Sequence, residues 1–442
     1  MPEISIKKFS CIREANICLT KVNIIIGPQG SGKNVTTKLL YFFVDIINDS
    51  MRHAEDGLSF SDYKKVLQKK FSVWFPPLAW GDERFHLNYN DARYSVRIMR
   101  RVSAGKPASD VSIKFSEDFE KAYEYALERF SDFKRSTFND FDDVGAKFSS
   151  SRIDDEYSAK ARIREFYRKS LGASIVDDQT FIPAGRAFFT SIGRLVAGIE
   201  HAGSLDPATL RFAKIFAGWR DRLEIFHPHF SELEAYHSKR KQVMSDLFDG
   251  AVQSKRDLEY IEMKDGRKVP FSSLSSGQQE LLPIWFFLDN IMLLEALQTR
   301  RSKKEFLESH RELVFIEEPE AHLFPMAQSK LLDNLLDIVV GGVYYRYLII
   351  TTHSPYIMSK LNVLLKAGHI ARRRKKNKEL NEIVPRSTWL QLADASALSI
   401  DDGVVKSIMD IDTELIDAAF LDSISDVIAD QFDQLLDLEG TL

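Results

Sequence analysis

Hydrophobic and polar positions alternate with period two in three stretches of the N-terminal quarter: RFHLNY (84–89), YSVRIMR (94–100) and DVSIKF (110–115). That is the pattern of half-buried antiparallel strands. Shorter strands are predicted at 3–8 and over 15–26, the latter broken near Thr20-Lys21. At TTKLLYFFVDIIND the period lengthens, and a helical region opens at about residue 36 and runs to about 70. Residues 116–170 read as helical and highly charged. A strand at 180–184 is closed by Gly185, and 187–248 is helical again, interrupted at Gly203 and at His227-Pro228-His229. YIEMKDGRKVPF (260–271) predicts a hairpin turning at Asp265-Gly266. Two all-apolar runs, LVFIEE (313–318) and YLIITT (347–352), flank a helix over 327–339 and read as parallel strands of a βαβ unit. The class is α/β, a mixed sheet with an antiparallel β subdomain and a helical insertion.

Composition narrows this. With 44% hydrophobic and 28% charged residues in 442, the chain can bury a sizeable core and is neither disordered nor collagen-like. It has no run of about 18 apolar residues and no apolar signal stretch in MPEISIKKF. Its two cysteines, Cys11 and Cys18, cannot build a disulfide framework. The expectation is a cytoplasmic protein without membrane contact. The net charge of −4 hides an asymmetry, because residues 391–442 hold 13 acidic side chains against Lys406 alone while the rest of the chain is net basic. With no linker-like composition, the expected units are 1–115 with the antiparallel strands, a helical insertion at 116–258, a second lobe at 259–390, and an acidic helical tail at 391–442.

Chemistry concentrates at four places. The apolar strand 21–26 runs into Gly27, Pro28, Gln29, Gly30, Ser31, Gly32, Lys33, Asn34 and Val35, and then a helix. Strand, glycine-rich loop and helix is the context of a phosphate-binding loop: backbone N–H groups turn onto the phosphates and Lys33 reaches the terminal oxygens. Asn34 stands where Ser or Thr gives Mg²⁺ a hydroxyl, so binding is expected to persist and hydrolysis to be slow. Second, the strand ending in Glu317 and Glu318 places one carboxylate for a metal and the other to activate water. Third, YLIITT ends in His353, within reach of a terminal phosphate. Fourth, Ser275, Ser276, Gly277 and Gln278 open an apolar helix as a second anion site.

Together LSSGQQE, IEEPEAHL and TTHSP resemble the ABC-type ATPases of the SMC/RecF/OLD class, in the order phosphate loop, insertion, signature, acidic strand, D-loop and switch histidine. The resemblance implies an ABC-type ATPase head that binds ATP and Mg²⁺, with Asn34, Glu317 and Gln179 at the metal and Glu318 and His353 catalytic. It also implies that two heads sandwich ATP, the signature of one completing the phosphate loop of the other, and so a dimer and a higher homo-oligomer. Gln179, just before TFIPAGR, is the candidate Q-loop residue. Arg186 in that segment fits two readings, phosphate sensor and salt-bridge partner.

The helices of 187–248 allow at most a hairpin with legs of ~25–30 residues, about 40 Å long, too short for an SMC arm. The ~90 residues after His353 lack the acidic pattern of a fused nuclease. A stand-alone ATPase of this size resembles, by family analogy, the ATPase subunits of two-gene antiphage systems, PARIS-like or Septu-like. The analogy implies a sensor and scaffold that holds and releases a separate nuclease or toxin effector when a phage protein or DNA triggers it. The alternative is a RecF/SMC-like repair ATPase gripping duplex DNA, and a transporter subunit is disfavoured by the insertion. Ala371–Lys378 fits either phosphate contact or a solvated turn between strands. The apolar positions Leu415, Ile416, Ala419, Phe420, Ile424, Val427, Ile428 and Leu435 fit either packing on the chain's own core or a partner surface. His227, His229 and His237 near Glu232 and Glu234 lack metal-ligand spacing.

Overall fold

The computed structural model describes residues 2–103, 105–139, 150–172, 175–192, 205–226, 233–255, 258–301, 310–374, 377–417 and 419–439. Gly203, His227, His229 and Glu232 lie outside them. The chain packs as two compact units, one built from 1–19, 30–179 and 400–405, the other from 20–29, 180–399 and 406–442.

In the first unit, β1 (Glu3–Phe9) and β2 (Ile12–Cys18) form a hairpin. β4 (His86–Asp91), β5 (Tyr94–Ser103) and β6 (Lys106–Phe115) extend it antiparallel in the order β6-β5-β4-β1-β2. The register pairs Ile4 with Tyr89, Ile6 with Leu87 and Ile98 with Ile113, so the expected alternation puts one apolar face inward. That face is covered by α1 (Lys33–Glu55) and α2 (Phe60–Trp74). Phe9, Phe42, Phe71, Phe75, Trp80 and Phe85 make a ring cluster, with Phe9 and Phe85 edge-on at 4.8 Å. Ser59 caps α2 through Asp62 N. The buried Asp45 and Asp49 of α1 share Lys70, at 2.9 and 2.8 Å. The charged helices α3 (Glu117–Asn139) and α4 (Ser150–Leu171) pack with α1 in this unit. The expected insertion at 116–258 therefore divides, its first half belonging to the antiparallel unit.

The second unit is a parallel sheet. β3 (Val22–Ile26) lies between β12 (Tyr345–Thr352) and β13 (Ala395–Asp401), with β11 (Arg311–Glu317) and β7 (Asp178–Ile182) beyond β12. β3, β11 and β12 are buried on both faces, which is why they read as largely apolar runs. Against it pack α5 (Ala187–Ile192), α6 (Pro207–Phe226), α7 (Glu234–Phe248), α8 (Ser276–Arg301), α9 (Pro325–Leu335) and α10 (Pro355–Arg373). Phe212, Phe216, Trp219, Tyr236, Val243, Leu247, Trp285 and Phe286 are all core. The legs α6 and α7 are 20 and 15 residues, shorter than the expected limit, and they are packed into the unit. β8 (Gly250–Lys255), β9 (Leu258–Met263) and β10 (Lys268–Pro270) form a small sheet. Its β9–β10 hairpin turns where expected, with Gly266 at φ 84°.

Two expectations are corrected. The tail is not helical throughout: ASALSID forms β13, parallel to β3, and 404–407, 409–410 and 415–416 are further short strands, with the α-helix of the tail at α12 (Ala419–Glu439). Its acidic composition concealed a short strand of small buried residues. Nor is 371–378 a turn between strands; Arg372 and Arg373 end α10, and Lys378 begins α11 (Lys378–Ile383). Among the described residues no helix is long and apolar enough to cross a membrane.

Candidate nucleotide site at the strand ends

Parallel pairing brings three chemically loaded strand ends to one edge. Thr352 is level with Ile26, Thr351 with Ile25 and Glu317 with Thr351. Gly27, Glu318 and His353 therefore leave the sheet side by side, at the carboxyl edge where parallel α/β sheets bind ligands. Pro28 and Gln29 follow Gly27 into solvent, both exposed.

The acidic strand and the switch histidine meet directly. His353 Nε2 lies 3.5 Å from Glu318 Oε1, each side chain about one-third exposed, with 37% and 33% of its surface accessible. Glu318 sits just past the strand in the left-handed region, φ 43°, where its N–H donates to Thr351 O at 2.9 Å. Glu317 is buried, and its Oε2 accepts from Ala184 N at 3.3 Å. Glu320, missed in the sequence, ties the D-loop to the switch: its Oε1 accepts from Thr352 Oγ1 and from His353 N, both at 2.7 Å. The spacing Glu-Pro-Glu was its only trace.

The signature opens α8. Ser275 Oγ donates to Gln278 Oε1 at 3.1 Å, and Gln278 N donates back to Ser275 Oγ at 3.4 Å. Ser276 begins the helix. Gly277 is pressed against the D-loop: a Cβ there would stand 2.7 Å from His322 O. Pro283 inside α8 has no N–H for Gln279 O, and that carbonyl accepts from Thr190 Oγ1 at 2.9 Å. Glu280 O accepts from Arg186 Nε at 3.2 Å.

Arg186 is wholly buried, with Glu280 Oε2 3.3 Å from its Nε. Burial pulls its pKa down, and the carboxylates of Glu280, Glu320, Glu317 and Glu318 pull it back. Of its two readings, salt-bridge partner is the one the geometry carries. Glu280 was missed because a carboxylate that receives backbone N–H groups from a distant loop leaves no periodic signal.

In the first unit the phosphate loop continues through Gly30 and Gly32, at φ 77° and 104°. A Cβ at Gly32 would fall 2.5 Å from Ile12 Cδ1 and 2.8 Å from Cys11 Sγ, so only glycine fits. α1 starts at Lys33, itself buried, with Asn34 exposed and Val35 half-buried. No side chain caps this helix, and a helix N-terminus favours an anion. The Ser31 and Thr36 hydroxyls are buried without a hydrogen-bond partner among the described residues. Orphaned donors over a left-handed glycine turn fit a polyphosphate. Thr37 Oγ1 is spent on Asn34 O at 3.1 Å. Gln179, in β7, is buried and donates from Nε2 to Tyr41 O at 3.1 Å.

Residues 219–358 match the family model of an AAA ATPase domain. The match spans the signature, the acidic strand and the switch histidine. It supports an ATPase of the kind the motifs resemble. Among solved structures, an SMC head bound to the C-terminal winged-helix domain of ScpA is 13% identical, covering 92% of this chain and 96% of that one, TM-score 0.37. The SMC head domain from Thermotoga maritima is 12% identical, covering 92% and 97%, TM-score 0.30. The recombination mediator RecF bound to an ATP analogue is 12% identical, covering 92% and 97%, TM-score 0.29. No curated protein matches the sequence. Strand order and register, rather than these superpositions, define the fold.

Proposed function

We propose that the chain is an ABC-type ATPase head that binds ATP with Mg²⁺ and hydrolyses it slowly, working as an oligomeric switch that holds and releases a protein effector. The observation that carries the ATPase reading is the common edge of β3, β12 and β11, with His353 3.5 Å from Glu318 beside the start of the glycine loop. Lys33 and the N–H groups of Gly30 to Val35 would hold the phosphates, and Asn34 with Glu317 would hold the metal, Gln179 completing the set if its amide turns from Tyr41. Mg²⁺ when bound would neutralise phosphate charge. Glu318 would take the proton from the attacking water, and His353 would donate to the terminal phosphate. Ser275, Ser276, Gly277 and Gln278 would face the nucleotide of a second head, which makes a homodimer the minimal active form.

Two features favour a protein partner over DNA. On α12 Ile428, Phe432, Leu435 and Leu436 are exposed while the helix carries aspartates and no basic residue, a surface suited to protein rather than to phosphate. In the basic run, Arg372 pairs with Glu414 and Arg374 with Glu379, which reduces its free charge. The nuclease or toxin effector, its phage trigger and the antiphage setting rest on the family resemblance alone. The alternative, a repair ATPase whose closed dimer grips duplex DNA, predicts strong salt-dependent DNA binding.

The test is particle mass with and without ATP-Mg²⁺, alongside phosphate release by wild type, Asn34→Ser and Glu318→Gln. A nucleotide-dependent assembly with slow turnover, raised by Asn34→Ser and cut to a small residual rate by Glu318→Gln, supports the switch. Brisk wild-type turnover with tight DNA binding moves the reading to the repair ATPase, and no nucleotide binding at all ends both.

A further inference from the structure

Arg186 makes more contacts than an ion pair requires. Its Nη1 donates to Glu317 O at 2.6 Å and to Pro183 O at 2.9 Å, its Nη2 donates to Glu318 O at 3.0 Å, and its Nε donates to Glu280 O. Glu280 answers from the signature helix, accepting from Arg186 N at 3.1 Å and Ala187 N at 3.2 Å. One guanidinium thus fixes four carbonyls from three segments: the loop after β7, the first turn of α8 and the end of β11. A buried charge pair is a poor way to gain stability alone, since apolar residues of the same volume often do as well. What it supplies is placement. Glu318 is a non-glycine residue in the left-handed region, a strained conformation that persists only where neighbours impose it. Its N–H is held by Thr351 O and its carbonyl by Arg186 Nη2, so both peptide groups around the strained residue are pinned.

We propose that Arg186 is a positioning residue for Glu318 and that, through Glu280, it makes the direction of the Glu318 carboxylate depend on the first turn of the signature helix. The inference rests on the ATPase reading above and deepens it. A head whose signature turn engages a second nucleotide would report that engagement to its own Glu318 along this one side chain. Arg186 touches no nucleotide in this scheme. Its whole effect runs through Glu318.

The experiment uses the full chain carrying Arg186→Lys, Arg186→Gln and Glu280→Gln, each also combined with Glu318→Gln. Steady-state phosphate release, binding of a fluorescent ATP analogue and amide hydrogen exchange over 317–323 are read on all of them. A misplacement of about 1 Å can cost on the order of 10²-fold in rate. That loss is expected in kcat for Arg186→Gln, with KM and analogue binding within about twofold of wild type, and Arg186→Lys should recover part of it. In the Glu318→Gln background the same substitutions should cost nothing more. Exchange over 317–323 should rise in Arg186→Lys while that of α10 stays put. Equal losses of binding and rate, losses that add to Glu318→Gln, or unchanged exchange over 317–323 would each overturn the proposal. If Arg186→Gln does not fold, the lysine variant and the exchange data decide. If wild type neither binds nor hydrolyses ATP, the ATPase reading falls, and the exchange result still judges what Arg186 holds in place.

Discussion

Gly277→Ala tests whether the contact between signature and D-loop matters to chemistry. The new methyl carbon would stand 2.7 Å from His322 O and 3.3 Å from Leu323 Cδ2. The first contact is with backbone, so something must move by about 0.5 Å in a close-packed region that transmits strain. Overpacking of this kind costs about 1–3 kcal/mol, and replacing glycine by alanine in a helix returns up to about 1 kcal/mol. The net, roughly 0–3 kcal/mol, would lower the melting temperature by only a few degrees in a chain of this size. The informative readout is therefore local. His322 has φ 60° and shares its loop with Glu318 and Glu320, so displacing it shifts the residues that hold His353. Phosphate release is expected to fall about 10- to 100-fold. Gly266→Ala is the control, because its Cβ meets nothing within 4 Å and only the φ of 84° is strained. That variant should lose about 1–2 kcal/mol of stability and keep its turnover. If Gly277→Ala turns over like wild type, or the control loses as much, the contact has no bearing on catalysis.

Two further outcomes are expected. Cys11 is exposed and its sulfur abuts Gly32, so in a Cys18→Ser background saturating ATP-Mg²⁺ should slow its alkylation several-fold; an unchanged rate would mean that nucleotide binds elsewhere. Burial pushes the Glu312 carboxyl up, but His310, 3.2 Å away, and Arg346 hold it below the usual carboxylate range. A depressed folded pKa contributes stability above the unfolded value and loses it as pH falls through the folded one. Glu312→Gln should therefore be less stable than wild type by about 1–3 kcal/mol at pH 7, and the gap in melting temperature should close below about pH 4. A gap of constant width across that range would show that the pair is not the cause.

Much of this was legible from residue order. The period-two strands, the Asp265-Gly266 hairpin and the two apolar strands carry local signals that tertiary packing did not override, and the phosphate loop, the Glu pair and His353 sit on the strand ends expected of them. β13 escaped because ASALSID is short, small-residued and set in an acidic segment, while its place beside β3 is fixed by partners far away in sequence. Glu280 and Glu320 escaped because their partners are backbone N–H groups or a neighbouring hydroxyl, which no side-chain pattern announces. Arg186 stayed open between two roles until its burial was known, since charge type alone does not say whether a guanidinium faces a ligand or a carbonyl.

β3 also has a bearing on how the chain is made. Val22 pairs with Ala395 on one side and Leu348 on the other, so the strand leading into the phosphate loop is synthesised long before either of its neighbours. Until β13 is in place one edge carries unpaired N–H and C=O groups, an invitation to the wrong strand. Such long-range pairing is slow to form. A chain cut short before β13 would therefore present its glycine loop on an open-edged strand, the form most exposed to aggregation and to proteases.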